Sequence, residues 1–87
     1  MRTCLVVDDS TVVRKIARRI LEEMDFQVVE AEDGERALEA CKSAMPEAVL
    51  LDWNMPNMDG YEFLGNLRRM AGGDVPKVVF CTTENDI

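Results

Sequence analysis

Four short apolar runs alternate along the chain with three stretches of helical periodicity, and this alternation restricts the fold more than any other feature. Each run is too short for a helix and is bounded by turn residues. Strands that alternate with helices at this spacing form a parallel sheet with right-handed crossovers. We therefore predict an α/β fold in which helices cover both faces of an open parallel sheet; in a flavodoxin-like sheet of this kind, with the strand order 2-1-3-4, the first and third strands are neighbours. The predicted strands are residues 3–7, Phe26–Ala31, Ala48–Asp52 and Lys77–Cys81.

The first helical stretch follows a cap at Asp9 or Ser10 and carries two opposed faces. We interpret the charged face as solvated, with ion pairs four residues apart; a partner surface is the alternative. The apolar face comprises Val13, Ile16, Ala17, Ile20 and Met24, and the charged face comprises Arg14, Lys15, Arg18, Arg19, Glu22 and Glu23, paired as Arg18–Glu22 and Arg19–Glu23.

Two further helices follow the second and third strands. The second spans about 35–44 and is ended by Pro46. The third begins at Asp59 or Gly60 and ends before the glycine pair 72–73, and its periodicity directs Tyr61, Leu64 and Leu67 inward.

Composition limits the classes of function that are open to the chain. Its 87 residues, of which 47% are hydrophobic and 31% charged, suit one small domain covering 1–87. The net charge of −7 argues against binding nucleic acid or an anionic membrane. The lack of histidine excludes a histidine dyad or imidazole metal site. No signal peptide or membrane span is visible, so we expect a cytoplasmic protein in which Cys4, Cys41 and Cys81 are buried free thiols.

Polar residues stand at the carboxyl ends of three predicted strands. Asp8 and Asp9 follow the first strand, Asp52 ends the third, and Thr82 follows the fourth. In a parallel sheet these ends share one edge, so Asp9 and Asp52 would meet across the crevice between strands one and three. Packed carboxylates repel one another unless a cation compensates, and Mg²⁺ prefers carboxylates completed by phosphate oxygens. The alternative is that these aspartates only cap helices.

Asp52 is the carboxylate that we expect to react. It lies on a central strand and opens into the loop that contains Met55 and Pro56. A carboxylate can accept a phosphoryl group when it has in-line access, a metal and further donors. The hydroxyl of Thr82 is a candidate donor from the neighbouring strand.

Three motifs together resemble the receiver domain of two-component response regulators. They are Val-Val-Asp-Asp-Ser at 6–10, Leu-Asp-Trp-Asn-Met-Pro-Asn-Met-Asp-Gly at 51–60 and Phe-Cys-Thr-Thr at 80–83. The second is especially similar to that of single-domain chemotaxis regulators. The resemblance implies that Asp52 accepts a phosphoryl group from a sensor histidine kinase or phosphotransfer protein, and that this switches binding to an output protein. It implies no enzyme activity beyond self-catalysed phosphotransfer and autodephosphorylation.

The resemblance also implies the metal ligands. Asp9, Asp52 and the backbone carbonyl of Asn54 correspond to the direct ligands of Mg²⁺ in this family. Asp8 corresponds to a residue that acts mainly through water.

Three further positions carry implied roles in handling the phosphoryl group. Thr82 corresponds to the hydroxyl that bonds it, and Thr83 to a backbone amide that helps to hold it. Asn54 and Glu84 correspond to the two variable positions that tune dephosphorylation.

The sequence departs from the family after the fourth strand. Receiver domains continue through a further helix, strand and helix, which carry a lysine that pairs with the phosphoryl group; Lys77 would lie at the far end of its strand. We therefore expect a fragment or a chain that forms a homodimer through the exposed fourth strand. The alternatives are a pseudo-receiver or inert fragment, and a dehalogenase-type phosphohydrolase, although Asn54 stands where that class requires a second aspartate.

Overall fold

Seven elements alternate between strand and helix in the computed structural model, which describes residues 2–81. The alternation confirms the predicted α/β class, and the strands from Phe26 onward have the predicted bounds. In chain order the elements are β1 (Arg2–Val7), α1 (Thr11–Glu23), β2 (Phe26–Ala31), α2 (Gly34–Ser43), β3 (Ala48–Asp52), α3 (Gly60–Arg69) and β4 (Lys77–Cys81).

The four strands form one parallel sheet in the predicted order β2-β1-β3-β4. Val7 of β1 lies between Ala31 of β2 and Leu51 of β3. The carboxyl ends of the strands therefore lie at one edge of the sheet. A crevice opens at this edge between β1 and β3, because the chain leaves these two strands in opposite directions across the sheet. This register determines which side chains can meet above the sheet.

Helices cover both faces of the sheet, as predicted. Leu5 and Val49 point to one face and pack with residues of α2 and α3, which also contact each other. Val6 and Leu50 point to the opposite face and border a groove beside α1. This division follows from right-handed crossovers. The chain crosses the sheet in one direction from β1 to β2, and in the other direction from β2 to β3 and from β3 to β4, so α1 lies on one face and α2 and α3 lie on the other.

The inward face of α3 differs from the prediction. Phe63 is completely buried and Tyr61 is 66% exposed, so the assignment of Tyr61 to the core was wrong. Asp59 is the N-cap and Gly60 the first helical residue. Positions 60, 63 and 67 then share one face at offsets of 3 and 4, and Tyr61 is rotated about 100° away from Gly60.

The apolar residues of α1 share a face, as their spacing predicts, but none of them is fully buried. Ile16 and Ile20 are both more than half exposed and line a groove of about 370 Å³ against β1 and β3. No element among residues 2–81 packs over this groove.

β4 lies at the edge of the sheet in the described residues, and most of its side chains are exposed. Cys81 is exposed for this reason, which contradicts the prediction of three buried thiols; Cys4 and Cys41 are buried as predicted. None of the three helices formed by residues 2–81 combines the length and apolar character that a membrane crossing requires.

Candidate metal centre

Three carboxylates converge at the carboxyl edge of the sheet. One ligand atom from each of Asp8, Asp9 and Asp52 lies within 4.8 Å of the others. Asp8 and Asp52 are only 5% and 7% exposed, whereas Asp9 faces solvent. The predicted meeting of Asp9 and Asp52 across the β1–β3 crevice is therefore confirmed.

The backbone around Asp8 is held at three points. Its N–H donates to the carbonyl of Ala31 at 3.1 Å, and its carboxylate Oδ1 accepts from the N–H of Ser10 at 2.8 Å. The Asp8 carbonyl accepts from the Nη1 of Arg14 at 2.7 Å. These contacts hold the segment that carries two of the three carboxylates.

Ser10 ends this segment by starting α1. Its Oγ accepts from the N–H of Val13 at 3.2 Å, and its carbonyl accepts from the N–H of Arg14 at 3.0 Å. Ser10 is thus the N-cap, one of the two predicted. Asp9 is left between the strand end and the cap, where its carboxylate is free of any capping role.

Burial raises the pKa of Asp52, and the negative charge of Asp8 is the next cause. Asp9 also raises this pKa, whereas the backbone N–H groups of Asn54 and Trp53 lower it, the former donating to Asp52 Oδ1 at 3.4 Å. The ionised carboxylate is therefore short of positive charge in this environment. A bound cation would relieve both the burial and the repulsion.

The loop after Asp52 is held close to the strand end by Gly60. The Gly60 N–H donates to the carbonyl of Trp53 at 3.1 Å. A Cβ at this position would lie 3.0 Å from the Asp52 carbonyl and 2.9 Å from Cε1 of Phe80. Only glycine allows this approach without a shift of the backbone beside Asp52.

Trp53 lies beside the acidic cluster in a small aromatic group. Its ring centroid is 5.0 Å from that of Tyr61 in an edge-to-face arrangement and 4.9 Å from that of Phe80. The indole is partly exposed and directly follows Asp52 in the sequence. We therefore expect its fluorescence to respond to changes in the surroundings of Asp52.

The donor set fits a hard divalent cation. All three ligand groups are carboxylates, and Mg²⁺ binds through one or two carboxylates while keeping several waters. The alternative that these aspartates only cap helices does not hold among the described helices, whose N-caps are Ser10, Asp33 and Asp59. Helix capping therefore does not account for the convergence of these three carboxylates.

Comparison with known proteins identifies the family to which this arrangement belongs. Residues 4–87 match the response regulator receiver domain. The chain belongs to this family. It is 37% identical over 79 residues to the phosphate regulon transcriptional regulatory protein PhoB of Escherichia coli, covering 90% of this chain. The receiver domain described here spans about a third of the length of that relative, 34%.

Solved structures share the fold of this receiver domain. The chemotaxis protein CheY4 of Vibrio cholerae matches with a TM-score of 0.92 and 31% identity, over 99% of this chain and 72% of that one. The response regulator TrrA of Thermotoga maritima, solved in complex with Mg²⁺-BeF, matches with a TM-score of 0.88 and 32% identity, over 98% of this chain and 72% of that one.

The other predicted site residues of the receiver domain are placed as follows. Asn54 lies in the loop directly after Asp52, and its N–H contacts the Asp52 carboxylate. Lys77 pairs with Ala48 at the amino end of the sheet, away from the acidic cluster, as predicted. Thr82, Thr83 and Glu84 lie outside the described residues, so their roles stay predictions.

Sequence reasoning missed the contacts of Arg14. The predicted pairs Arg18–Glu22 and Arg19–Glu23 are present at 3.1 and 3.7 Å. Arg14, however, was assigned to a solvated face, and its side chain is only 13% exposed because it contacts Glu30 of β2. The available signal was the only charged residue inside β2, next in the chain to a helix with arginines four residues apart.

Proposed function

We propose that this receiver domain accepts a phosphoryl group on Asp52 in a Mg²⁺-dependent reaction, and that the modification switches binding to an output protein. The donor is the phosphohistidine of a sensor histidine kinase or phosphotransfer protein, and the compartment is the cytoplasm. The observation that carries the proposal is the convergence of Asp8, Asp9 and Asp52 within 4.8 Å at the β1–β3 crevice.

In the proposed reaction a carboxylate oxygen of Asp52 attacks the phosphorus of the phosphohistidine. The new P–O bond forms as the P–N bond breaks, and the imidazole keeps the electron pair and takes a proton from solvent. Water later attacks the phosphorus of the acyl phosphate; the P–O bond to Asp52 breaks, inorganic phosphate leaves and the carboxylate is restored. The chain acts on itself in both steps, so we do not class it as an enzyme with a separate substrate.

The residues around Asp52 divide the remaining tasks. Asp9, Asp52 and the carbonyl of Asn54 would hold Mg²⁺, with Asp8 acting through water. When bound, the ion would neutralise negative charge on the transferring oxygens. The raised pKa of Asp52 supports this assignment, because burial and the Asp8 charge leave its carboxylate in need of a cation.

Three residues outside the described part complete the proposal on the strength of the family pattern. Thr82 donates its hydroxyl and Thr83 its amide to the phosphoryl group, while Asn54 and Glu84 tune its hydrolysis. Phosphorylation replaces the single negative charge of the Asp52 carboxylate with nearly two on the phosphoryl group, a net gain of about one, and the phosphoryl oxygens would draw the Thr82 hydroxyl inward and reshape the neighbouring surface.

The decisive experiment is intact mass measurement after incubation with Mg²⁺ and acetyl phosphate. We expect the wild-type chain to gain one phosphoryl group and to lose that gain when EDTA is present. Asp52→Asn should show no gain. Asp33→Asn is the matched control, because Asp33 caps α2 and is not one of the three clustered carboxylates, and asparagine also caps well, so its gain should equal that of wild type.

Two other outcomes of this experiment would change the proposed acceptor or the proposed function. A gain that survives in Asp52→Asn would place the acceptor elsewhere. A folded wild-type chain that gains nothing would be a pseudo-receiver or an inert fragment, either of which binds partners without being phosphorylated.

We also propose that β4 mediates homodimer formation. Within residues 2–81 this strand is paired on one side only, and Val79 is 56% exposed. An open strand edge with apolar side chains is a template for pairing with a second chain.

A further inference from the structure

Glu30 of β2 receives three cationic side chains from α1. Arg14 Nε lies 3.1 Å from Oε1 of Glu30, and Lys15 Nζ lies 3.0 Å from Oε2. Arg18 Nε contacts the same Oε2 atom as Lys15. The side chains of Arg14 and Glu30 are only 13% and 11% exposed. Charged pairs shielded from water in this way are more rigid than exposed ones, because fewer solvent contacts compete with them.

Arg14 extends this network to the acidic cluster. While its Nε donates to Glu30, its Nη1 donates to the backbone carbonyl of Asp8 at 2.7 Å. Its Nη2 donates to the Oγ1 of Thr11 at 3.2 Å, so three donors of one planar group are used. Among the described contacts of Lys15 and Arg18, none reaches Asp8.

The carbonyl that Arg14 binds belongs to the peptide group between Asp8 and Asp9. Because a peptide group is planar, a hydrogen bond to this oxygen restrains the orientation of the whole unit, including the bond that leads to the Cα of Asp9. The Asp8 N–H is held on the other side by Ala31, the residue that follows Glu30. The restraint on the Asp8 N–H therefore comes directly from β2, and the restraint on its carbonyl is anchored to β2 through the contact of Arg14 with Glu30.

We infer that Arg14 is a positioning residue for the metal centre, which orients Asp9 by bridging Glu30 to the Asp8 carbonyl. The inference rests on the proposed function, since it presupposes that the three aspartates bind Mg²⁺. Arg14 does not touch the metal in this scheme. It acts through the peptide group that carries the ligand, as residues behind metal ligands commonly do.

The charge of Arg14 and its positioning role have opposite effects on the affinity for Mg²⁺. A guanidinium near a cation site repels the cation, so removing the charge alone would strengthen Mg²⁺ binding. Removing the hydrogen bond to Asp8 would weaken it. The sign of the change in affinity therefore separates the two roles.

The test is titration of the 87-residue chain with Mg²⁺, followed by calorimetry and by the fluorescence of Trp53, the single tryptophan. We expect Arg14→Gln to weaken Mg²⁺ binding by about tenfold. Arg18→Gln is the matched control, because it removes the same charge and also a contact to Glu30, without a described contact to Asp8. It should bind Mg²⁺ within about twofold of wild type.

Two further measurements separate positioning from a general loss of stability. Arg14→Lys keeps the charge but lacks the planar fork that spans Glu30 and Asp8, so it should bind Mg²⁺ at least as weakly as Arg14→Gln. Hydrogen exchange at the Ser10 amide, which donates to Asp8, should accelerate in both Arg14 variants and not in Arg18→Gln.

The inference is overturned if folded Arg14→Gln binds Mg²⁺ as tightly as wild type or more tightly. It is also overturned if Arg18→Gln loses as much affinity, because the shared loss of a Glu30 contact would then explain both. A wild-type chain that binds no Mg²⁺ by either method would remove the proposed metal centre itself, and the inference with it.

Discussion

At the residue scale, Glu30 shows how a sheet carboxylate becomes tied to a helix. Partial burial would raise its pKa, but hydrogen bonds from Arg18, Lys15 and Arg14 outweigh that effect and lower the pKa from its ordinary value of 4.5 to about 2. Glu30→Gln should therefore lower the free energy of unfolding by about 2 kcal/mol near neutral pH, since two half-buried guanidinium groups lose their partner.

This loss should depend on pH with a defined sign. Because the pKa of Glu30 is lower in the folded state, the ionised carboxylate stabilises the fold above its unfolded-state pKa of 4.5. The stabilisation disappears as the pH falls from that value towards the folded-state pKa of about 2.

Urea unfolding of wild type and Glu30→Gln at about pH 7 and about pH 3 measures this dependence. The difference between the two proteins should be smaller at the lower pH. Glu39→Gln, an exposed change on α2, should show little difference at either pH. A difference between wild type and Glu30→Gln that is the same at both pH values would contradict the role of ionised Glu30.

At the scale of the element, the start of α3 decides which aromatic residue enters the core. Phe63 is fully buried against α2 and the sheet, whereas Tyr61 is exposed and contacts Trp53. Phe63→Ala should lower the free energy of unfolding by about 3–5 kcal/mol, because it leaves a cavity in a closed core. Tyr61→Ala should lower it by about 1 kcal/mol or less, through the lost ring contact.

Chemical denaturation of the two variants is a direct comparison, since both remove an aromatic ring from the same helix. Equal losses of stability would restore the inward assignment of Tyr61 that the sequence alone favours. The same helix start also brings Gly60 against the Asp52 carbonyl, so the α3 register affects the metal centre as well as the core.

At the scale of the whole molecule, the open edge at β4 should govern self-association. We expect the wild-type chain to dimerise with rising concentration in sedimentation velocity experiments, because within residues 2–81 β4 is paired on one side only and carries exposed apolar side chains. Val79→Lys should shift the chain to monomer. This change makes the net charge less negative than −7 and so weakens the repulsion between two copies of the chain. A loss of dimer would therefore reflect the change at the strand and not added charge repulsion.

Val75→Lys is the control for this experiment. Val75 is also exposed but lies before β4, and the substitution changes the net charge by the same amount. It should leave the dimer intact. A wild-type chain that stays monomeric at all concentrations, or a Val75→Lys variant that dissociates as fully as Val79→Lys, would argue against pairing through β4.

Much of the metal centre could be predicted from sequence because of a general property of parallel sheets. The carboxyl ends of their strands share one edge, so residues far apart in the chain, such as Asp9 and Asp52, are brought together once the strand order is known. The same reasoning could not find Arg14. Its role depends on the distance between α1 and β2, and periodicity alone only places it on the side of α1 opposite the apolar residues.

The sequence by itself determined the alternation of strands and helices, because local periodicity suffices for it. Its motifs indicated the receiver family, whose strand order brings the three aspartates together. Tertiary structure decided the burial of Phe63 rather than Tyr61, the exposure of Cys81 and the bridge from Glu30 through Arg14 to Asp8. Each of these depends on how far one element is rotated or displaced against another. Side-chain packing sets that rotation and distance, and no pattern within a single element encodes them.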